Sequence, residues 1–148
     1  MRAVVSVVKD ASVSVDGTVI SSIGRGLLIL LGITHSDSIS TAEKLADKIC
    51  SLRIFEDENG KINRSLEDAA GEVLVVSQFT LYGSCRRGRR PEFLSAAKGA
   101  AAEPIYEAFA KRCAALGHVT KTGAFGAYML VKSTNDGPMT LMLDTEDL

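Results

Sequence analysis

Val73-Leu74-Val75-Val76 leads straight into Ser77-Gln78-Phe79-Thr80-Leu81-Tyr82, and the architecture of the chain can be worked out from that junction. The apolar run has the composition of a strand covered on both faces. Small and hydroxyl-bearing residues then stand where the strand ends. Asn135-Asp136-Gly137-Pro138-Met139-Thr140 repeats the arrangement as a polar turn between the apolar stretches Tyr128–Val131 and Leu141–Leu143. Strand ends of this kind expose backbone and hydroxyl groups, and pockets are commonly built there. Conventional acid–base side chains are scarce around both segments.

Upstream of the junction the first third reads as β. Ala3–Val8 and Ala11–Val15 are rich in Val, and Asp16-Gly17 is a two-residue hairpin signal before Thr18–Ile23. Leu27–Ile33 is again continuously apolar. Ser38 or Ser40 is placed to cap a helix from Thr41 to about Leu52, where Ala42, Leu45, Ala46, Ile49 and Leu52 recur at helical spacing. Glu43, Lys44, Asp47 and Lys48 fall on the outward face. Asp57-Glu58-Asn59-Gly60 is a turn, whereas Asn63–Asp68 fits neither period. Downstream, residues 83–91 form a basic loop with two glycines. A helix over Ala100–Leu116 follows, with Pro104 near its start and Gly117 as its stop. His118–Thr122, Ala127–Thr134 and Met139–Asp144 return to β. Strands outnumber helices and lie at both ends. The pattern predicts an α+β fold, a curved, mostly antiparallel sheet or partial barrel with two main helices packed outside. No repeat, low-complexity tract or linker divides residues 1–148, so a single domain is expected.

At 148 residues the chain is long enough to bury a core, and its 46% hydrophobic but only 5% aromatic content makes that core one of Val, Leu, Ile and Ala. A net charge of −1 argues against coating nucleic acid by bulk electrostatics, so any polyanion has to meet a local basic patch. Cys50, Cys85 and Cys113 are odd in number and widely spaced, with no CxxC. Neither a disulfide framework nor a zinc site is expected, and a reducing compartment is. The opening MRAVVSVVKD is too short and too quickly charged for a signal peptide. No apolar stretch approaches the roughly 18 residues of a membrane span. The expectation is a cytoplasmic protein with no membrane association.

Four groups of residues compete for a chemical role. His35 and His118 are the only histidines and sit in no nucleophile or metal motif, and no GxSxG elbow supports a triad. Ser77 and Thr80 are ordinary residues for a strand end, yet the Gln78-Phe79-Thr80 backbone is also suited to turning its amides into a pocket as an anion hole. Asn-Asp-Gly-Pro alone is a common turn sequence. Proline nevertheless permits a cis peptide, and the adjacent Gly137 clears space around the carbonyls. Arg86, Arg87, Arg89 and Arg90 place four guanidiniums in five positions of a slightly acidic chain, either as a solvated face or as phosphate contacts.

With these segments in view, the sequence resembles the D-aminoacyl-tRNA deacylase family, also called D-tyrosyl-tRNA deacylases, from Met1 to about Thr145. The resemblance is carried by Arg2-Ala3-Val4-Val5, Ala11-Ser12-Val13, Gly26-Leu27-Leu28, Leu52-Arg53-Ile54-Phe55, SQFTLY at 77–82, Gly88-Arg89-Arg90-Pro91, TGAFGA at 122–127 and NDGPMT at 135–140. It implies a homodimer, without metal or cofactor, that hydrolyses the ester joining a D-amino acid to the terminal adenosine of a tRNA. By the same matching, Ser77 to Leu81 form the pocket floor, with Ser77, Gln78, Phe79 and Thr80 implied as its catalytic residues. Gly137-Pro138 is implied to adopt a cis peptide and to enter the partner subunit's pocket. Phe125 and Met129 are implied to hold the terminal adenine. Catalysis by the RNA's own 2′-hydroxyl and by backbone groups would account for the missing acid–base side chains. One departure stands out: the family usually has Gln-Arg-Val at positions 6–8, its arginine supporting the Gly-Pro loop, and this chain has Ser6-Val7-Val8. The rival expectations are a relaxed editing enzyme that also releases glycine or a small L-amino acid, and a nucleic-acid-binding module that has lost hydrolysis.

Overall fold

One long strand, β1 (Arg2–Val15), supports most of the sheet, and a computed structural model describes it together with all of residues 1–148. The two Val-rich runs expected as separate strands form this one strand, with exposed Lys9 and Asp10 at its middle. Its second half pairs antiparallel with β2 (Thr18–Ile23) through a turn in which Asp16 and Gly17 both have positive φ, 48° and 79°. That is the conformation a tight two-residue hairpin demands. Its first half pairs antiparallel with β3 (Gly26–Gly32).

From β3 the sheet continues in parallel. A helix, α1 (Ile39–Cys50), and a two-stranded ribbon of β4 (Phe55–Glu56) and β5 (Ile62–Arg64) lead to β6 (Glu72–Ser77), which lies parallel to β3. A second helix, α2 (Gly99–Ala115), leads to β7 (Thr120–Thr122), parallel to β6. Parallel neighbours need such crossovers, which explains why both helices stand where they do. The final strand, β8 (Leu130–Asp144), runs antiparallel along the other edge of β1. Antiparallel pairings thus hold three of the five contacts between strands of the main sheet. The sheet curls until its outer strands meet: Ser21 Oγ donates to the Thr122 carbonyl at 2.8 Å and Lys121 Nζ to the Ser22 carbonyl at 2.5 Å. The result is a nearly closed, barrel-like sheet.

Alternation along the strands sorts the core into two. Val5, Leu27, Ile29, Leu31, Val73 and Val75 face the helices and pack against Leu45, Ile49, Tyr106 and Phe109. Val8, Val13, Leu28, Leu74 and Val76 point to the opposite face and form a smaller cluster inside the curl. Ser38 caps α1 by accepting from the Thr41 amide at 3.3 Å. Neither helix is long and apolar enough to cross a membrane.

The segment Asn135–Thr140 departs from expectation. It does not reverse the chain, because both of its flanks pair with the same strand: Asn135 lies opposite Val8 and Thr140 opposite Ser6. Residues 136–139 therefore oppose the single residue Val7 and must bulge out of the ladder. A reversing turn would have paired the two flanks with each other, whereas both are paired with β1.

Candidate functional site

The end of β6 opens a cavity of about 470 Å³. Its floor is Ser77, Gln78 and Phe79, held in place from beneath by β3. The Gln78 amide donates to the Leu31 carbonyl at 2.8 Å, and the chain then tightens into a 3-10 turn over Phe79–Tyr82. The bonding of that turn begins with the Leu81 amide, which donates to the Gln78 carbonyl at 3.2 Å. The Phe79 and Thr80 amides precede it, where a helical ladder supplies no acceptor of its own. Gly32 allows the turn to sit this low: a Cβ there would lie 2.9 Å from Leu81 Cβ and 3.1 Å from the Gln78 carbonyl oxygen.

Arg2 ties the turn to the first and last strands of the sheet, which pair there. Its Nη1 donates to the Leu81 carbonyl at 3.0 Å, its Nε to Asp144 at 2.7 Å, and its guanidinium stacks 4.6 Å from the Tyr82 ring centroid. Burial raises the Asp144 carboxyl, but the hydrogen bonds from Arg2 and from the Glu146 amide outweigh it and hold the group below the usual carboxylate range. Burial likewise pushes the Tyr82 phenol far above its ordinary value. Both groups keep one charge state at neutral pH, and their role is structural support of the floor.

The far wall is the segment 123–131. Tyr106 of α2 donates to the Val75 carbonyl at 2.8 Å, the same oxygen that accepts from the Gly123 amide at 2.9 Å. Phe125 packs on the Tyr106 ring with centroids 5.4 Å apart. Met129 folds back against Gly123, where any Cβ would meet its sulfur at 2.7 Å. Eleven of the fifteen lining residues are hydrophobic, and none carries a carboxylate, imidazole, thiol or amine. No group of three or more His, Cys, Asp or Glu side chains is placed to hold a metal ion. The cavity can bind an apolar or aromatic group, and the polar side chains of its lining are Ser77, Gln78 and Tyr128.

The remaining candidate residues lie outside this lining. Thr80 is exposed, with its hydroxyl accepting from Gln78 Nε2, and does not line the cavity. Gly137-Pro138, joined by a cis peptide, borders a separate cavity of about 200 Å³ with Val7, Arg25, Glu56 and Asp136. The neck of that bulge is closed by the motif's own side chains: Asn135 Nδ2 donates to Thr140 Oγ1 at 2.8 Å, and the Ser6 and Thr140 hydroxyls are 3.0 Å apart. Val7 lies buried beneath as an apolar floor. Arg86, Arg87, Arg89 and Arg90 are all exposed, on a loop closed at its base by the Ser84–Glu92 bridge. His35 bonds the Leu94 carbonyl at 2.9 Å and touches neither cavity.

A family model described as D-Tyr-tRNA(Tyr) deacylase matches residues 4–144. The chain belongs to that family. The D-aminoacyl-tRNA deacylase of Thermomicrobium roseum is 54% identical over 148 residues, covering 100% of this chain and 96% of the relative. That of Thermus aquaticus is 54% identical over 147 residues, covering 99% and 97%. Among solved structures, one named c-Myc DNA Unwinding Element Binding Protein superimposes with a TM-score of 0.90 at 43% identity, covering 97% of this chain and 98% of that one. Membership of the deacylase family makes the chain a hydrolase of the aminoacyl-tRNA ester.

Sequence reasoning missed three kinds of residue at the site. Ala97, Gly99 and Ala102, around the start of α2, form its near wall. Small residues carry no chemical signature, so only the helix placement exposes them. Arg2 has no chemical signature in the sequence, because its partner Asp144 lies 142 residues away. Tyr128 stands between Ala127 and Met129, just beyond the TGAFGA motif, and lines the cavity.

Proposed function

We propose that this chain removes D-amino acids from mischarged tRNA, that it works as a homodimer, and that the RNA itself supplies the group that assists the chemistry. The observation that carries this reading is the lining of the cavity, which is apolar and aromatic and holds no carboxylate, imidazole, thiol or amine. An aminoacyl ester is already activated, so orientation and oxyanion stabilisation go far. Water adds to the ester carbonyl beside the ribose 2′-hydroxyl, and the Phe79 amide at the cavity floor receives the developing oxyanion. The tetrahedral adduct then collapses, the 3′-oxygen leaves with a proton, and the free amino acid departs. Phe125 and Met129 flank the terminal adenine. Arg86, Arg87, Arg89 and Arg90 meet phosphates of the acceptor stem, where neutralised charges contribute salt-dependent affinity without sequence preference.

Chirality is read by exclusion. The carbonyls of Gly137-Pro138, entering from the partner subunit, crowd the side of the α-carbon on which an L side chain projects. A D side chain points away and needs no pocket of its own, and glycine presents nothing to exclude. The exchange is supported by the separation of the two cavities within one chain.

The test is amino acid release from tRNA charged with a D-residue, its L-enantiomer or glycine. D-tyrosyl- and glycyl-tRNA should be cleaved and L-tyrosyl-tRNA spared. A tRNA ending in 2′-deoxyadenosine should be cleaved very poorly, while Ser77→Ala and Thr80→Ala keep a substantial fraction of activity. An acyl-enzyme trapped on either hydroxyl would overturn this mechanism, and full protection of glycyl-tRNA would overturn exclusion. Release of L-alanine would mark the relaxed editor, for which Val7 in place of arginine is the motivating observation.

A further inference from the structure

We infer that Tyr128 is a stacking platform for the second-last nucleobase of the tRNA, a contact that rests on the deacylase reading above. Tyr128 is 86% exposed, the largest exposure among the large hydrophobic side chains of the chain. It nevertheless lines the cavity together with its sequence neighbours Phe125, Gly126, Ala127 and Met129. The 124–127 turn, in which the Ala127 amide donates to the Ala124 carbonyl at 3.2 Å and Gly126 has φ of +74°, leaves Phe125 half-buried and Tyr128 outside. One short segment thus presents one aromatic ring within the cavity and a second at its lip.

Size decides what reaches the lip. A cavity of about 470 Å³ falls in the range filled by one drug-sized ligand, so a terminal aminoacyl-nucleoside fills it. The preceding nucleotide has no room inside and must leave across the mouth. The exposed end of the floor lies on the way to the arginine loop. Phe79 lies edge-on against Phe93, centroids 5.0 Å apart, and Phe93 follows directly on the closed base of the arginine loop. A strand that leaves past Tyr128 and Phe79 meets aromatic faces and, on the loop before Phe93, a cluster of positive charge, the combination that holds single-stranded RNA.

The experiment compares two substrates, D-tyrosyl-tRNA and D-tyrosyl-adenosine, the second of which has no preceding base. Tyr128→Ala should raise KM for the tRNA about tenfold, with kcat little changed. Its kcat/KM for D-tyrosyl-adenosine should fall far less than that for the tRNA, the difference being the part owed to the second-last base. Tyr128→Phe and Tyr128→Trp should both restore tRNA binding, because stacking needs the ring and not the hydroxyl. A tRNA abasic at the second-last position should lose the same factor with the native protein and nothing more with Tyr128→Ala. Equal losses on both substrates would overturn the proposal, as would additive losses with the abasic tRNA. Dissociation of a dimer by Tyr128→Ala would also overturn it by making the ring part of a protein interface. Failure of the native protein to cleave either substrate would instead remove the deacylase reading and this contact with it.

Discussion

Tyr106 connects α2, β6 and the pocket wall through one hydroxyl, and its titration can be read as stability. Burial pushes its phenol up to about 12 from an ordinary value of 10, because the ionised form would sit in the core. The folded state therefore holds its proton where the unfolded chain releases it. The contribution of Tyr106 is complete below pH 10 and fades between pH 10 and 12, by on the order of 2 kcal/mol. Tyr106→Phe has no such loss. At neutral pH the variant should be less stable by only about 1 kcal/mol, since the Val75 carbonyl keeps the Gly123 amide as a donor. Urea unfolding at pH 8 and pH 11 should show the gap narrowing or reversing at the higher pH. A gap that stays constant would mean that the phenol titrates normally in the folded protein. At this scale the sequence was legible where a motif marked it. Ser77, Gln78, Phe79, Phe125 and Met129 converge on one cavity from positions up to 52 residues apart. Tyr106 carried no motif, and its importance arises only from the carbonyl it meets.

Among the elements, β3 and the 3-10 turn above it are coupled through the missing side chain of Gly32. A methyl group there must displace Leu81 Cβ, which is fixed to the backbone and cannot rotate away. Gly32→Ala should therefore fold but lose about 1–3 kcal/mol, the ordinary range for overpacking. Its deacylase kcat/KM should fall more than tenfold, because the displaced turn carries the Phe79 amide. Retained activity in a destabilised protein would show that the turn's position is not what the chemistry needs. The strands and helices themselves were largely readable. Hydrophobic period placed both helices to within about two residues, the usual latitude at helix ends, and Asp16-Gly17 placed the first hairpin. What periodicity could not supply was pairing. Residues 127–134 and 139–144 read as two strands with a turn between them, and only their shared partner β1 turns the interruption into a bulge.

At the scale of the whole molecule, the most exposed feature is the outer edge of β8. It is a fifteen-residue strand paired only with β1, and Leu130, Val131, Leu141 and Met142 are exposed along it. A long apolar edge left open invites pairing with another chain, and a second copy would cover it. Two-fold symmetry would then make the exchange reciprocal, each bulge serving the other's cavity. Complementation tests this directly. Ala97→Trp fills the cavity and leaves the bulge intact. Gly137→Val spoils the bulge, whose φ of +121° rejects a β-branched residue, and leaves the cavity intact. Each variant alone should be inactive. When the two are unfolded together and refolded as equal parts, half of the dimers should be mixed. In a mixed dimer the open cavity of the Gly137→Val chain faces the sound bulge of the Ala97→Trp chain, while the other site carries both defects. One site in two works in half of the dimers, so about a quarter of native activity should return. A bulge that served its own chain would give no recovery at all, because every site would then carry a defect of its own.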